Sequence, residues 1–144
     1  MADIQTQRRR LYVAFALGTV AIGLLVHLHG MGLNAAARDV AGDALWAAMI
    51  AWWVGALAPL TRLAARAALA YAVCAAVEVS QIYHTPGLDA LRATRPGHLF
   101  LGSGFDPRDL VAYAVGVAAA VLVESAIARR SGVRRHRDDA AGTR

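Results

Sequence analysis

The sequence has no lysine, a single cysteine and few charged residues of any kind. Charged residues make up 17% of its 144 residues, hydrophobic residues make up 58%, and the mean hydropathy is +0.43. Soluble domains carry about 25% charged residues, so this composition excludes an ordinary soluble domain with one core. The lone Cys74 also excludes an intrachain disulfide. We therefore expect one compact domain in a membrane.

The net charge of +5 comes from arginine alone and does not indicate nucleic-acid binding. Most arginines lie outside the apolar runs, and no basic groove with interleaved aromatic residues is present. The expected partner is the lipid bilayer, with no nucleic acid, and the oligomeric state is left open.

Four apolar stretches approach the length of about 20 residues that a spanning helix needs. They predict an all-α membrane protein, a bundle of four transmembrane helices. The predicted parts are a basic cytoplasmic N-terminus at 1–10, a transmembrane domain at 11–130 with helices at about 11–28, 43–60, 63–83 and 107–128, and a disordered cytoplasmic tail at 131–144.

The distribution of arginine predicts the orientation. Arginines cluster before the first span, between the second and third, and after the fourth, so an even number of spans puts all three groups on one side. The positive-inside rule makes that side cytoplasmic. We therefore expect a multi-pass protein of the inner membrane with both termini in the cytoplasm. The first apolar run is long for a signal peptide, so we expect it to remain uncleaved.

The connection at 84–106 is longer than the usual helix-to-helix loop of about 2 to 8 residues. Its segment 97–105 mixes apolar and glycine residues. We expect an extracytoplasmic loop that is re-entrant or interfacial. Asp106 and Pro107 then supply an N-cap and a proline at the first helical position, which predicts where the last helix begins.

Glu78 is the most informative residue because it lies inside the third apolar stretch. An ionisable side chain near the bilayer centre costs about 2.5 kcal/mol or more, so it should face protein, water or a ligand. Gln81 follows three residues later on the same helical face. Two interpretations stay open: a structural hydrogen-bonded pair, or a functional pocket, which is the default for intramembrane acids.

Other polar residues are predicted at the same membrane face. Asp109, Tyr113 and Gly116 share one face of the last helix, although Asp109 fits a role in the helix cap equally well. Asp43 begins the second span, and N-capping is its leading explanation. The candidate ligand-binding residues are Asp43, Glu78, Gln81, Asp89, Arg92, Arg95, Asp109 and Tyr113.

Arg92 and Arg95 lie in the outer loop, where solvated charges are the default interpretation. Two arginines near several carboxylates also suit bidentate capture of a phosphate or carboxylate. Asp89 can pair with Arg92 if the stretch is helical.

Small residues recur at four-residue spacing in two of the predicted helices. The pairs are Ala14 with Gly18 and Gly116 with Ala120. Such pairs allow close contacts between helices in lipid, so we interpret them as packing residues.

No pattern predicts a metal, a cofactor or a reaction. His84 and His98 match no closed zinc spacing. The sequence also has no nucleophile elbow, no lysine-containing phosphate loop and no His-Glu-x-x-His. An enzyme is therefore the less favoured class.

Five short motifs follow one another along the chain. They are Gly42-Asp43-x-Leu45-Trp46, Glu78-x-Ser80-Gln81-x-Tyr83, Leu88-Asp89-x-x-Arg92, Leu101-Gly102-x-Gly104-Phe105-Asp106-x-x-Asp109-Leu110 and Tyr113-x-x-Gly116. In this order and spacing the chain resembles the bacterial membrane proteins of domain-of-unknown-function family 2809, over roughly Leu11 to Glu124.

A looser resemblance is to the VanZ-like membrane proteins. It consists of a Glu-x-x-Gln on one helix, an arginine in the next loop and an Asp-x-x-x-polar-x-x-Gly opening the last helix. Tyr113 occupies the position where those proteins usually have asparagine. The resemblance implies a small helical membrane protein and a link to glycopeptide-antibiotic tolerance, and it implies no reaction.

Three functions remain open. The leading hypothesis is a cell-envelope protein that binds a polar or anionic group, such as a lipid head group or cell-wall precursor, in an outer pocket. The second is a small proton-coupled transporter that uses Glu78. The third is a membrane-embedded enzyme acting on a lipid, with Glu78 or Asp109 as general base.

Overall fold

The structure is a computed structural model that describes residues 2–29, 32–94, 96–97 and 104–141, with side chains described between residues 3 and 130. The described residues contain helices and no strand. The helices are α1 (Ala2–His29), α2 (Ala35–Leu57), α3 (Leu63–Ser80), α4 (Pro86–Arg92) and α5 (Pro107–Ala141). By length and hydropathy, α1, α2, α3 and α5 can cross a membrane. The predicted fold class is confirmed.

Helix α1 begins before the arginines that were expected to precede it. Because the helix starts at Ala2, Arg8 to Arg10 are helical, as suits a residue with high helix propensity. Arg9 Nε donates to the carbonyl oxygen of Ala56 at 3.0 Å, near the end of α2. That bond satisfies a carbonyl that the helix itself leaves unpaired.

Helix α2 begins eight residues earlier than expected, at Ala35. Its N-cap is Asn34, whose side-chain oxygen accepts the N–H of Ala37 at 2.8 Å. The prediction that Asp43 caps this helix was therefore wrong, since Asp43 lies two turns inside it. The helix ends at Leu57, and Pro59 follows, where a helix cannot continue without losing a hydrogen bond.

Helix α5 begins at Pro107, and Asp106 Oδ1 accepts the N–H of Arg108 at 2.9 Å. It continues past Arg130 to Ala141, so the boundary expected at Arg130 is not where the helix ends. Between α3 and α5 lies the short helix α4. Residues 98–103 of this connection lie outside the described residues, so its re-entrant or interfacial character stays a prediction.

Helix α2 is central, because it packs against α1, α3 and α5, and α3 also packs against α5. Helices α2 and α5 approach closely at Gly116, where an added Cβ would overlap the carbonyl group of Ala44. The predicted close contact at Gly116 is thus confirmed. At Gly18 the same prediction was wrong, since nothing lies within 4 Å of such a Cβ.

The antiparallel spans give the bundle two ends, which carry different polar residues. We call them the Glu78 end, where α3 finishes and α2 and α5 begin, and the Arg66 end, where α3 begins and α2 finishes. Between them the interior is apolar, with Ala47, Ala70 and Cys74 fully buried.

Candidate functional site

Glu78 is completely buried at the Glu78 end and accepts three hydrogen bonds. Its Oε2 accepts from the Tyr113 hydroxyl at 2.9 Å and from Gln81 Nε2 at 3.1 Å. Its Oε1 accepts the backbone N–H of Asp106 at 2.7 Å. A carboxyl group is tolerated in an apolar interior when its oxygens are paired in this way. The structure thus brings together the two predicted polar faces of α3 and α5.

Gln81 extends the same network into the loop before α5. It is 5% exposed, and its Oε1 accepts the N–H of Gly104 at 3.0 Å. Glu78 and Gln81 therefore hold two backbone amides, at Gly104 and Asp106, that precede the last helix. This arrangement fits the structural interpretation of the pair, because their polar atoms already have partners within the protein.

Asp43 and Asp109 are the partly exposed carboxyl groups of the cluster. Asp43 comes from α2 and Asp109 from α5, both are half-buried, and their carboxyl groups lie within hydrogen-bonding reach of each other. Glu78 is close enough to act on both electrostatically. Carboxyl groups this close repel unless a proton or a positive group lies between them. The pair therefore suits a hydrogen-bond donor or a cation.

Arg92 is not the free loop side chain that was expected. It is 6% exposed, and its two amino nitrogens donate to the carbonyl oxygens of Tyr83 and Ser80, each at 2.7 Å. Ser80 is the last residue of α3 and Tyr83 lies in the turn that follows, so Arg92 caps that helix from α4. Its burial and these two bonds leave an anion only the remaining N–H groups of Arg92, which include the unpaired Nε.

Asp89 lies on the exposed side of α4. Its Oδ1 is 3.5 Å from Arg92 Nη1, which is the pairing expected for a helical stretch, and 3.2 Å from His84 Nδ1. Arg95 and His98 lie outside the described residues. The part of the chain that the structure describes contains no group of three potential metal ligands.

A second polar cluster, missed by the sequence reasoning, lies at the Arg66 end. Arg66 is 6% exposed and donates to the Tyr12 hydroxyl at 2.7 Å and to Glu124 Oε1 at 2.6 Å. The Tyr12 hydroxyl in turn donates to Glu124 Oε1 at 2.7 Å. The guanidinium also lies 5.1 Å from the centre of the Tyr12 ring, at cation–π distance. These contacts tie α1, α3 and α5 together.

One signal for this second cluster was present in the sequence. Glu124 is an acid inside the last apolar span, so the rule that singled out Glu78 applies to it equally. Arg66 contributed to the sequence prediction only as one of the arginines that set the orientation. In the structure it is a buried partner of Glu124. Because Tyr12 and Glu124 are 112 positions apart, their contact is not visible as a local pattern.

An apolar layer separates the two clusters. Between Glu78 and Arg66 the buried face of α3 carries Cys74 and Ala70, both 0% exposed. Ala47 of α2 and Val117 of α5 pack against them. Tyr71 of α3 is half-buried beside this layer.

These features define a multi-pass membrane protein with a buried polar cluster at each end of the bundle. The chain belongs to the family described as protein of unknown function, DUF2809, whose model matches residues 32–117. The match includes Asp43, Glu78, Asp109 and Tyr113, and it excludes Tyr12 and Glu124. No solved structure matches the chain.

Proposed function

We propose that this chain binds a polar group of the cell envelope, such as a lipid head group or a cell-wall precursor, at the Glu78 end. The observation that carries the proposal is the pairing of Asp43 with Asp109. These half-buried carboxyl groups come from two helices, and neither forms an ion pair among the described residues. Glu78, Gln81 and Tyr113 form the scaffold that positions them.

The available groups favour a ligand with hydroxyl or ammonium donors. Of the two arginines expected to capture an anion, Arg92 is buried and bonded to Ser80 and Tyr83, and Arg95 lies outside the described residues. Carboxylates accept hydrogen bonds and attract positive charge, so donors on the ligand complement them. We therefore expect the ligand to carry hydrogen-bond donors, and we no longer favour an anionic group.

The test is native mass spectrometry of the purified protein titrated with phosphatidylethanolamine, whose ammonium group donates hydrogen bonds. Asp43→Asn and Asp109→Asn should each weaken binding about tenfold, because a hydrogen bond to a charged group contributes roughly 1.5 to 3 kcal/mol. Phosphatidylcholine, whose quaternary ammonium has no N–H, should bind the unaltered protein more weakly.

The matched control is Asp39→Asn. Asp39 is exposed on α2, one turn before Asp43, so its variant should bind like the unaltered protein. The proposal loses its basis if two results are found together. All three variants would bind phosphatidylethanolamine with equal affinity, and none would lose a cell-wall precursor that co-purifies with the unaltered protein.

The two other functions have less support. A proton-coupled carrier needs a route past Cys74 and Ala70, which pack among mostly apolar side chains with Tyr71 beside them. An enzyme needs a nucleophile or a metal set next to a general base, and the Glu78 oxygens are already occupied by three donors within the protein.

We also propose that the protein lies in a bacterial inner membrane with both termini in the cytoplasm. Support comes from the arginines of the Arg66 end, which include Arg9, Arg62 and Arg129. Positive charge accumulates on the cytoplasmic side of multi-pass proteins.

A further inference from the structure

An open apolar groove runs between α3 and α5, away from the residues that the proposed function uses. Its volume is about 470 Å³, which lies within the roughly 300 to 1,000 Å³ range of ligand sites. The residues along it include Ala67, Tyr71, Ala114, Ala118, Val121 and Leu122. The groove exists because alanines stand where larger side chains would fill the space between the two helices.

Two polar contacts hold the groove open at fixed width. At one end Glu78 of α3 bonds Tyr113 of α5, and at the other Arg66 of α3 bonds Glu124 of α5. The lining on α5 runs from Ala114 to Leu122, which is eight residues or about 12 Å at 1.5 Å per residue. One leaflet contributes about half of the roughly 30 Å hydrocarbon core, so the length of the groove is comparable to the depth that one acyl chain occupies.

The charges at the Arg66 end indicate which lipid fits. Arg129 lies seven residues after Leu122 on the same face of α5, and it is exposed. Arg62 is the exposed N-cap residue of α3 and makes no side-chain cap bond. Neither arginine forms an ion pair among the described residues. The first amides of α3 also favour a negative group at this end.

We propose that this groove binds one acyl chain of an anionic phospholipid, with the phosphate held by Arg62 and Arg129. The apolar lining takes the hydrocarbon chain, and the two arginines select the charge of the head group. This site lies in the leaflet at the Arg66 end, and it is independent of the donor-binding site at Asp43 and Asp109.

The test is native mass spectrometry of the full chain, titrated with phosphatidylglycerol or with phosphatidylcholine of the same acyl composition. Phosphatidylglycerol should bind more tightly. Arg129→Gln should weaken it about fivefold, as expected for one basic residue near an anionic lipid. The control Arg108→Gln, at the opposite end of α5, should leave it unchanged.

Filling the groove tests the acyl-chain contact separately. Ala118→Leu should abolish the tight phosphatidylglycerol site, whereas Ala119→Leu, at an exposed neighbouring position, should keep it. If Ala118→Leu does not fold, Ala114→Leu provides the same test from the next turn of the groove. Asp43→Asn should have no effect, which separates this site from the one at the Glu78 end.

Two results would overturn the proposal. One is unchanged phosphatidylglycerol affinity in a folded groove-filling variant. The other is a dimer of the unaltered chain that Ala118→Leu converts to monomer without loss of lipid, since this would assign the groove to a second copy.

Discussion

At the scale of single residues, substitutions of Glu78 test whether its role is structural or ligand-binding. Replacing it by alanine leaves the Tyr113 hydroxyl and the Asp106 amide without their acceptor, and each unpaired buried donor costs about 1 to 3 kcal/mol. We expect Glu78→Ala to lower the free energy of unfolding by about 2 to 5 kcal/mol. Tyr113→Phe, which removes a single bond, should lower it by about 1 kcal/mol.

Unfolding in mixed micelles measures both changes. Val79→Ala is the matched control, because Val79 is the exposed neighbour on α3 and contributes no hydrogen bond to the cluster. A Glu78→Ala protein as stable as the control, but unable to bind its ligand, would contradict the structural role.

What the sequence could predict at this scale depends on whether a residue's chemistry is visible locally. Glu78 and Gln81 were found because polar residues in an apolar run, three positions apart, share a helical face. The hydrogen bonds of Arg92 could not be predicted, because they are made to backbone carbonyls 9 and 12 positions away that only the fold brings near it. Arg66 and Glu124 are 58 positions apart, which also hides their pairing.

At the scale of helices, the contact between α2 and α5 depends on a missing side chain. An added Cβ at Gly116 would overlap the backbone of Ala44, which cannot rotate away, so the two helices must separate. We expect Gly116→Ala to lower the free energy of unfolding by about 1 to 3 kcal/mol. It should also weaken ligand binding, because Ala44 adjoins Asp43 and the same separation moves Asp43 away from Asp109.

Gly18→Ala is the matched control for this substitution. Nothing lies within 4 Å of a Cβ at Gly18, so the change should stabilise α1 by up to about 1 kcal/mol through helix propensity alone. If Gly116→Ala and Gly18→Ala change thermal unfolding equally, the contact at Gly116 does not limit how closely α2 and α5 pack.

The sequence predicted these helices well at their apolar centres and less well at their ends. Hydrophobicity marks the part of α2 inside a membrane, but Asn34 begins that helix through a hydrogen bond to Ala37 that hydropathy does not report. The start of α5 was predictable because Asp106 and Pro107 carry the capping chemistry themselves. Apolar length thus predicts the number of spans, and capping residues predict their limits.

At the scale of the whole molecule, the two ends of the bundle differ in charge and should face different compartments. The Arg66 end carries an excess of arginines, from α1, from the start of α3 and from α5. At the Glu78 end, acids such as Asp39, Asp43 and Asp109 balance the arginines Arg38, Arg92 and Arg108. Four antiparallel spans place both chain ends together. The positive-inside rule then predicts that the ligand site opens away from the cytoplasm.

The single cysteine makes this orientation directly measurable. Cys74 is 0% exposed, so the unaltered protein should not react with a membrane-impermeant maleimide and serves as the control. Ala90→Cys places a thiol on the exposed side of α4, and Thr61→Cys places one between α2 and α3. In intact cells with a permeable outer layer, Ala90→Cys should be labelled and Thr61→Cys should react only after the inner membrane is opened. The reverse pattern would invert the orientation and place the Asp43 and Asp109 site in the cytoplasm, where cell-wall precursors carried across the membrane could not reach it from outside.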